Sequence, residues 1–299
     1  MNPIVLAGIT GNLGERIARA LVARGAAVRG LVRADVPPET RARLEGLGIV
    51  LVTVDYADVA SLTEACRGAR CVVSALSGLR GVIVDAQTVL LEGAVRAGVP
   101  RFVPSDFSTD FTKLPAGSNR NLDLRREFHA RLEGAAIGVT SVFNGAFTDM
   151  LTGQAPFVLA RWKRVLCWGN PDQHMDFTTV DDTAAYTADV ALDPSTPRYL
   201  HIAGDQPNAR DLAAVMTALT GTPYRVFRPG GLGLFAWVIR LTRALMSVTD
   251  ELYPPWQGMQ YMYGMFSGLA FPTRLDNDRY GSRNWITARD VLATKHGGA

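Results

Sequence analysis

Short apolar runs alternate with amphipathic stretches through the first half of the chain. Ile4–Ala7 is a continuous apolar run of strand length, as in a parallel strand buried on both faces. The stretch after it carries Ile17, Ala18, Leu21 and Val22 on one helical side and Glu15, Arg16 and Arg19 on the other. Further strands are predicted over 27–32, 49–54, 71–75, 101–104 and 138–143. Between them, Pro37 and Pro38 open a helix through Leu44 and Leu47 that Gly48 closes. Asp58 is placed to cap the next helix. Val82, Ala86, Val89, Leu90 and Val95 recur at core spacing, which predicts a long helix over 82–97, and another spans 121–132. Strands alternating with helices at this interval predict an α/β fold built on a doubly wound parallel sheet. Right-handed crossovers then gather the carboxyl ends of the strands on one edge, where ligands bind.

Beyond residue 143 the pattern shortens. Strands are predicted within 158–168 and 175–180, then a helix capped by Asp181-Asp182 and running through Val190, a strand over 199–203 and a helix over 209–219. The chain divides at this level into a dinucleotide-binding domain, 1–155, and a smaller C-terminal substrate-side lobe, 156–299, with some elements returning to the sheet. In 256–266 methionines and aromatics recur at helical spacing, the mark of a core or subunit interface, with an apolar pocket wall as the second reading. The tail from Lys295 reads as disordered.

Composition narrows the class. The 299 residues are 47% hydrophobic and 20% charged, ordinary for a globular protein with a substantial core. A net charge of +3 without a basic run gives no reason to expect a nucleic-acid partner. Cys66, Cys71 and Cys167 form no metal-ligand or redox motif, so neither a metal nor a disulfide framework is expected. The first strand starts at Ile4, leaving no room for a signal peptide, and Arg240 and Arg243 interrupt the apolar stretch 230–248, so no membrane span is expected. The expectation is a reduced cytoplasmic protein, monomer or homodimer.

The chemistry concentrates in IVLAGITGNLG. Gly8, Gly11 and Gly14 follow the first strand and open the first helix, the context of a dinucleotide pyrophosphate site. Gly8 permits the sharp turn, Gly11 the approach of backbone to phosphate, and Gly14 close packing of helix on strand. Backbone N–H groups from Asn12 onward then point at the anion, and the helix dipole favours its charge. Arg33 ends strand two, where arginine suits the 2′-phosphate of NADP; Asp35 nearby leaves NAD(H) possible. Asp55, followed by Tyr56, is placed at the adenine edge. Strand four runs through Ala75 into Leu76-Ser77-Gly78, which is expected to pass over the phosphates. Ser105 and Asn144, at the tips of strands five and six, complete the candidate cofactor contacts. The polar segment from Ser105 to Asn119 is a candidate for substrate access, as an open loop.

GITGNLG, LVR, RFVPSDFSTDF, LRREFHARLE and TSVFNGAF together resemble the NmrA-like and isoflavone-reductase-like branch of atypical short-chain dehydrogenases. The likeness is good over the first half and continues more loosely through DFTTVDDTAAYTADVAL and YLHIAGDQPNARDLAAVM. It implies a Rossmann domain that binds NADP(H). From that family's nucleotide loop come Gly8, Thr10, Gly11, Asn12, Leu13 and Gly14, with Arg33 as the 2′-phosphate arginine and Ala75 with Leu76 at the tip of strand four. Ordinary short-chain dehydrogenases use Tyr-x-x-x-Lys, and no tyrosine here has a lysine four residues on. Reductases of the branch place a catalytic lysine where this chain has Arg125. Arginine does not act as a base near neutral pH, yet it can stabilise an oxyanion. His129, one turn further on the same face, is either the acid that completes the reaction or an exposed histidine on a charged helix. The expected function is NADPH-dependent reduction of a small, largely apolar conjugated or carbonyl compound, of quinone or enone type. The alternative is a non-catalytic NADP(H)-sensing regulator with a protein partner.

Overall fold

The computed structural model describes residues 2–246 and 250–296. Six strands form one sheet: β1 (Ile4–Ala7), β2 (Val28–Val32), β3 (Val50–Thr53), β4 (Cys71–Ser74), β5 (Arg101–Val103) and β6 (Gly138–Val139). Their order is β3-β2-β1-β4-β5-β6 and the pairings are parallel, the doubly wound arrangement. Helices α1 (Asn12–Ala23), α2 (Pro38–Glu45), α3 (Val59–Cys66), α4 (Gln87–Arg96) and α5 (Arg120–Leu132) alternate with them. Central β1 and β4 are buried at every residue, whereas β3, on the outer edge, exposes Val50. A π-helical turn, Gly81–Ala86, precedes α4 where one continuous helix is predicted.

The predicted sixth strand breaks at Thr140. The Thr140 amide still donates to Phe102 O at 3.1 Å, but the Ser141 amide turns to Arg198 O at 2.9 Å. The rest of that run is β7 (Ser141–Phe143), followed by β8 (Ala146–Phe147), β9 (Val158–Leu159), β10 (Arg164–Leu166), β11 (Phe177–Thr178), α6 (Val180–Leu192) and β12 (Tyr199–His201). β7 pairs with β12 outside the large sheet. Next come α7 (Ala209–Thr220), β13 (Arg225–Phe227), α8 (Leu232–Leu245), α9 (Pro255–Ser267) and α10 (Ala288–His296).

The described residues fall into two compact units. The first gathers those of Met1–Phe107, Leu124–Val142 and Thr183–Leu200, and the second those of Ser108–Asp123, Phe143–Asp182 and His201–Ala299. The first unit's core joins Val5, Leu31 and Val72 from the sheet to Leu62, Leu90 and Phe128 from helices, with Phe102 fully buried among them. Each such side chain contributes about 1.5–3 kcal/mol by leaving water. The second unit has its own core, in which Phe157, Phe177 and Leu212 meet Met262 and Phe266 of α9. The methionine and aromatic stripe therefore lies in a core.

One helix cap differs from expectation. α6 is capped by Thr179, whose hydroxyl accepts from the Asp182 amide at 3.0 Å and donates to the Asp182 carboxylate at 2.9 Å, so Asp182 completes a cap instead of making it. α7 starts at a reciprocal box of Asn208 and Asp211. Lys295 and His296 end α10, so the expected disordered tail begins no earlier than 297, and 297–299 lie outside the described residues. Residues 247 and 248 of the apolar stretch 230–248 lie outside them too. Among the described residues no helix is long and apolar enough to cross a membrane, and no group of acids, histidines and cysteines is arranged to hold a metal.

Candidate functional site

The chain leaves β1 in a left-handed turn at Gly8, φ +76°. A Cβ there would stand 2.5 Å from Ala75 O, just past β4, and a Cβ on Gly14 would overlap the Gly8 carbonyl. The turn therefore fits against the neighbouring strand tip because these positions carry no side chain. Gly11, in extended conformation, is the N-cap of α1 and offers no side chain to its first-turn amides. Thr10, Gly11 and Asn12 are exposed, with Leu13 half-buried. The result is an uncapped helix N-terminus at the point where the sheet order reverses, between β1 and β4, a ready site for an anion.

Other predicted cofactor residues of the first unit surround this turn or support it. Arg33 is well exposed after β2, with Asp35 3.5 Å away. Asp55 is engaged in its own turn, accepting from the Ala57 amide at 2.8 Å. Tyr56 packs on the core, where burial pushes its phenol above the ordinary range against a smaller downward pull from the Gly8 backbone and Arg33. Ser105 is buried: its hydroxyl donates to Leu76 O at 2.6 Å, and its amide donates to the Gln87 side chain at 2.9 Å. It thus ties the tips of β4 and β5 together.

Arg125 of α5 donates through Nε to Ser105 O at 2.9 Å. His129, one turn on, reaches the next residue of the same strand tip, with Nε2 2.6 Å from Asp106 Oδ2. The two side chains share a face, as their spacing predicts. His129 is 5% exposed, however, which overturns the reading of an exposed histidine on a charged helix. A wholly buried carboxylate requires donors, and Asp106 takes one from His129 and another from Ser141 Oγ at 2.6 Å. Arg198 donates to Ser141 Oγ at 2.7 Å and faces His129 Nδ1 at 3.4 Å. Guanidinium only donates, so Nδ1 is the accepting nitrogen and Nε2 the one that donates to Asp106.

Only the first part of the segment from Ser105 to Asn119 departs from an open loop; Thr112, Lys113, Pro115, Ala116 and Gly117 are exposed. Ser105 through Ser108, Asp110 and Phe111 are all buried. In the second unit Asp110 accepts from His201 Nε2 at 3.0 Å and from the Thr112 hydroxyl at 2.6 Å. Burial pushes the Asp110 carboxyl upward, but these hydrogen bonds outweigh it and hold it below its usual value. Asn144 is wholly buried, and among the described residues neither polar atom of its side chain has a hydrogen-bond partner. An unsatisfied buried amide is uncommon in a folded protein. Beside it, Gly145 adopts φ +67° and the Asp176 backbone occupies the space a Cβ would need.

Asp176 directly precedes β11, two residues after His174. It does not pair with His174; both contact Gln206, Asp176 accepting from its amide at 2.7 Å and His174 Nδ1 meeting its carbonyl at 2.6 Å. Burial pushes the Asp176 carboxyl up to about 6, against smaller downward effects of Gln206 and His201. The strand alternation, with Met175 and Phe177 buried on either side of Asp176, is the one sequence signal that distinguishes it.

The sheet order and the glycine turn define a dinucleotide-binding α/β protein of the Rossmann type. The chain belongs to the NmrA-like family, whose model matches residues 2–228. Pinoresinol reductase 1 of Arabidopsis thaliana is 31% identical over 208 residues, a match spanning 64% of this chain and 65% of that protein's length. Among solved structures, AtPrR2 with NADP+ and (+)pinoresinol superposes with a TM-score of 0.82 at 21% identity, covering 98% of each chain. An NADPH-dependent quinone oxidoreductase from Escherichia coli gives 0.74 at 20% identity, over 97% of this chain and 98% of that one. These last two likenesses are likenesses of fold.

Proposed function

We propose that this chain is an NADP(H)-dependent oxidoreductase that reduces a small, largely apolar conjugated or carbonyl compound of quinone or enone type. The observation that carries the reading is the Gly8–Gly14 turn, an uncapped helix N-terminus with no room for side chains against Ala75. These residues fit a dinucleotide: backbone amides from Asn12 onward meet the pyrophosphate, and Arg33 meets the 2′-phosphate. Pinoresinol reductase among the relatives, and a quinone oxidoreductase among proteins of the same fold, support the reaction class.

When bound, NADPH supplies the hydride. Arg125 supplies a fixed positive charge that stabilises negative charge developing on a substrate oxygen, and it gives up no proton. His129, with its donor on Asp106 and its acceptor facing Arg198, orients the strand tip that holds Arg125. The sensing alternative rests on Arg125 as well, since an arginine replaces the lysine of the reductases and its Nε is engaged by Ser105 O.

The test combines cofactor titration with NADPH oxidation over a panel of quinones and enones. Arg125→Lys is expected to retain part of the activity and Arg125→Met to lose far more, mainly in kcat. Tight NADP(H) binding with no turnover of any compound, together with a protein partner recruited by only one redox form, would establish the sensor instead.

A further inference from the structure

The edge of the large sheet opposite the glycine turn carries a second candidate site. A half-open cavity of about 550 Å³ lies at the amino ends of β5 and β6 and the carboxyl end of α6. Arg70, Arg101, Thr140 and Thr196 line it together with apolar Val139 and Pro194. We propose that it binds a small organic oxyanion, a carboxylate or a phosphate ester, gripped by Arg70 and Arg101.

The argument starts from charge. Arg101 is 9% exposed, so its guanidinium has left most of its water. Its partners are neutral: Ala191 O at 3.4 Å and the Thr196 hydroxyl at 2.6 Å. Arg70 donates to Leu192 O at 2.5 Å. Among the described residues neither guanidinium is paired with a carboxylate. Arg24 also reaches α6, but there it meets a carboxylate, Asp189, at 2.6 Å, whereas Arg70 and Arg101 meet carbonyls and a hydroxyl. The carboxyl end of α6 offers about half a negative charge against two full positive ones. A buried cation without a counter-ion is costly, and an anion entering the cavity lowers that cost.

The donors also suit an oxyanion. Each guanidinium has five N–H groups in a planar fork, and the protein engages two on Arg101 and one on Arg70. Thr196 and Thr140 share a short hydroxyl contact of 2.5 Å, and since Thr196 accepts from Arg101, its own proton is available to Thr140 or to a ligand. The volume lies in the small-molecule range, far above that of a bare ion, and the apolar wall accounts for an organic portion.

Thermal-shift titration of the full chain, without dinucleotide, tests this directly. Benzoate and inorganic phosphate are each compared with chloride at matched ionic strength. A saturable rise in Tm with benzoate, phosphate or both is expected, and the arm that saturates identifies the oxyanion. Arg70→Met is expected to weaken that midpoint by about tenfold or more. Arg101→Lys, which keeps the charge and loses the fork, is expected to weaken it less, and it serves where Arg101→Met does not fold. Gly11→Val is expected to keep the full response, because phosphate on the glycine turn would lose it. No saturable shift with either anion, an unchanged response in Arg70→Met, or a response abolished by Gly11→Val would each overturn the proposal.

Discussion

The glycine turn of the first unit and the polar group around Asp176 in the second are assembled in opposite ways. The turn is made of backbone: seven consecutive positions, Gly8 to Gly14, in which absent side chains let carbonyls and amides approach. The Asp176 group is made of side chains, drawing Asp110, Asn144, His201 and Gln206 from segments far apart in sequence. The first is shaped by close backbone approach, with Ile9 its wholly buried side chain, and leaves Thr10, Gly11 and Asn12 exposed. The second has to bury polar atoms and offset their desolvation pair by pair. A backbone site is therefore expected to be sensitive to added atoms, and a side-chain site to removed ones.

The largest effect should come from adding atoms to the turn. Gly11→Val places a Cβ 3.3 Å from Gly8 O, which the extended backbone tolerates, while its branches project where phosphate would approach. NADP(H) and NAD(H) binding should both weaken a hundredfold or more, about 2.7 kcal/mol, with circular dichroism unchanged. Calorimetric titration decides the matter, and retained tight binding would refute the whole reading of the turn.

Removing atoms should cost most where several donors converge. Asp106→Ala takes the acceptor from both His129 and Ser141 inside the first unit. A loss of about 3–5 kcal/mol of unfolding free energy is expected, because buried donors lose a charged partner. Asp106→Asn, which keeps one acceptor, should fall between Asp106→Ala and wild type in urea denaturation. Equal stability of all three would show that the buried network contributes nothing.

In the proposed site the two styles meet in Arg33, an exposed side chain expected to complete a backbone site. Arg33→Ala should weaken NADP(H) by about 1.5–3 kcal/mol and leave NAD(H) nearly unchanged. An unaltered ratio of the two affinities would remove Arg33 as the discriminating residue.

This contrast also explains what the sequence disclosed. The sheet strands and the turn were legible because their signals are local: apolar runs, helical periods and glycines at fixed spacing. The first part of the Ser105 to Asn119 segment was misread because its polar residues look like surface, whereas Asp106 and Asp110 are buried by partners at positions 129, 141 and 201. His129 looked exposed among Arg125, Arg126 and Arg131. It also follows Phe128 and shares a helical stripe with Leu122 and Leu132, all buried, and that spacing was the available clue. Asn144 was placed by its strand tip alone, and nothing local reveals that its amide lacks partners. The sixth strand was drawn too long because the switch of hydrogen-bond partner at Ser141 depends on Arg198.

The smallest effect sits in the second unit and depends on pH. Asp176 ionises at about 6 in the folded protein, against 3.8 as its ordinary value, chiefly through burial. Between those values the folded state holds a proton that the unfolded state has released. Stability therefore falls as pH rises from about 4 to about 6 and is level above that. Below the ordinary value both states are protonated and the penalty vanishes. The raised carboxyl corresponds to a cost of about 1–3 kcal/mol at neutral pH, allowing for the part of the group that stays in contact with water. Asp176→Asn keeps an oxygen for the Gln206 amide and carries no charge, so it should match wild type near pH 4 and exceed it at pH 7 by that amount. Urea denaturation of both proteins across pH 4–8 measures the difference. Parallel curves would mean that Asp176 is ionised throughout and that water, not protein, sets its affinity for protons. A converging pair would show that this side-chain site, unlike the glycine turn, holds a group at a cost to the fold, as expected of a carboxyl whose proton exchange is moved up to about pH 6 by burial.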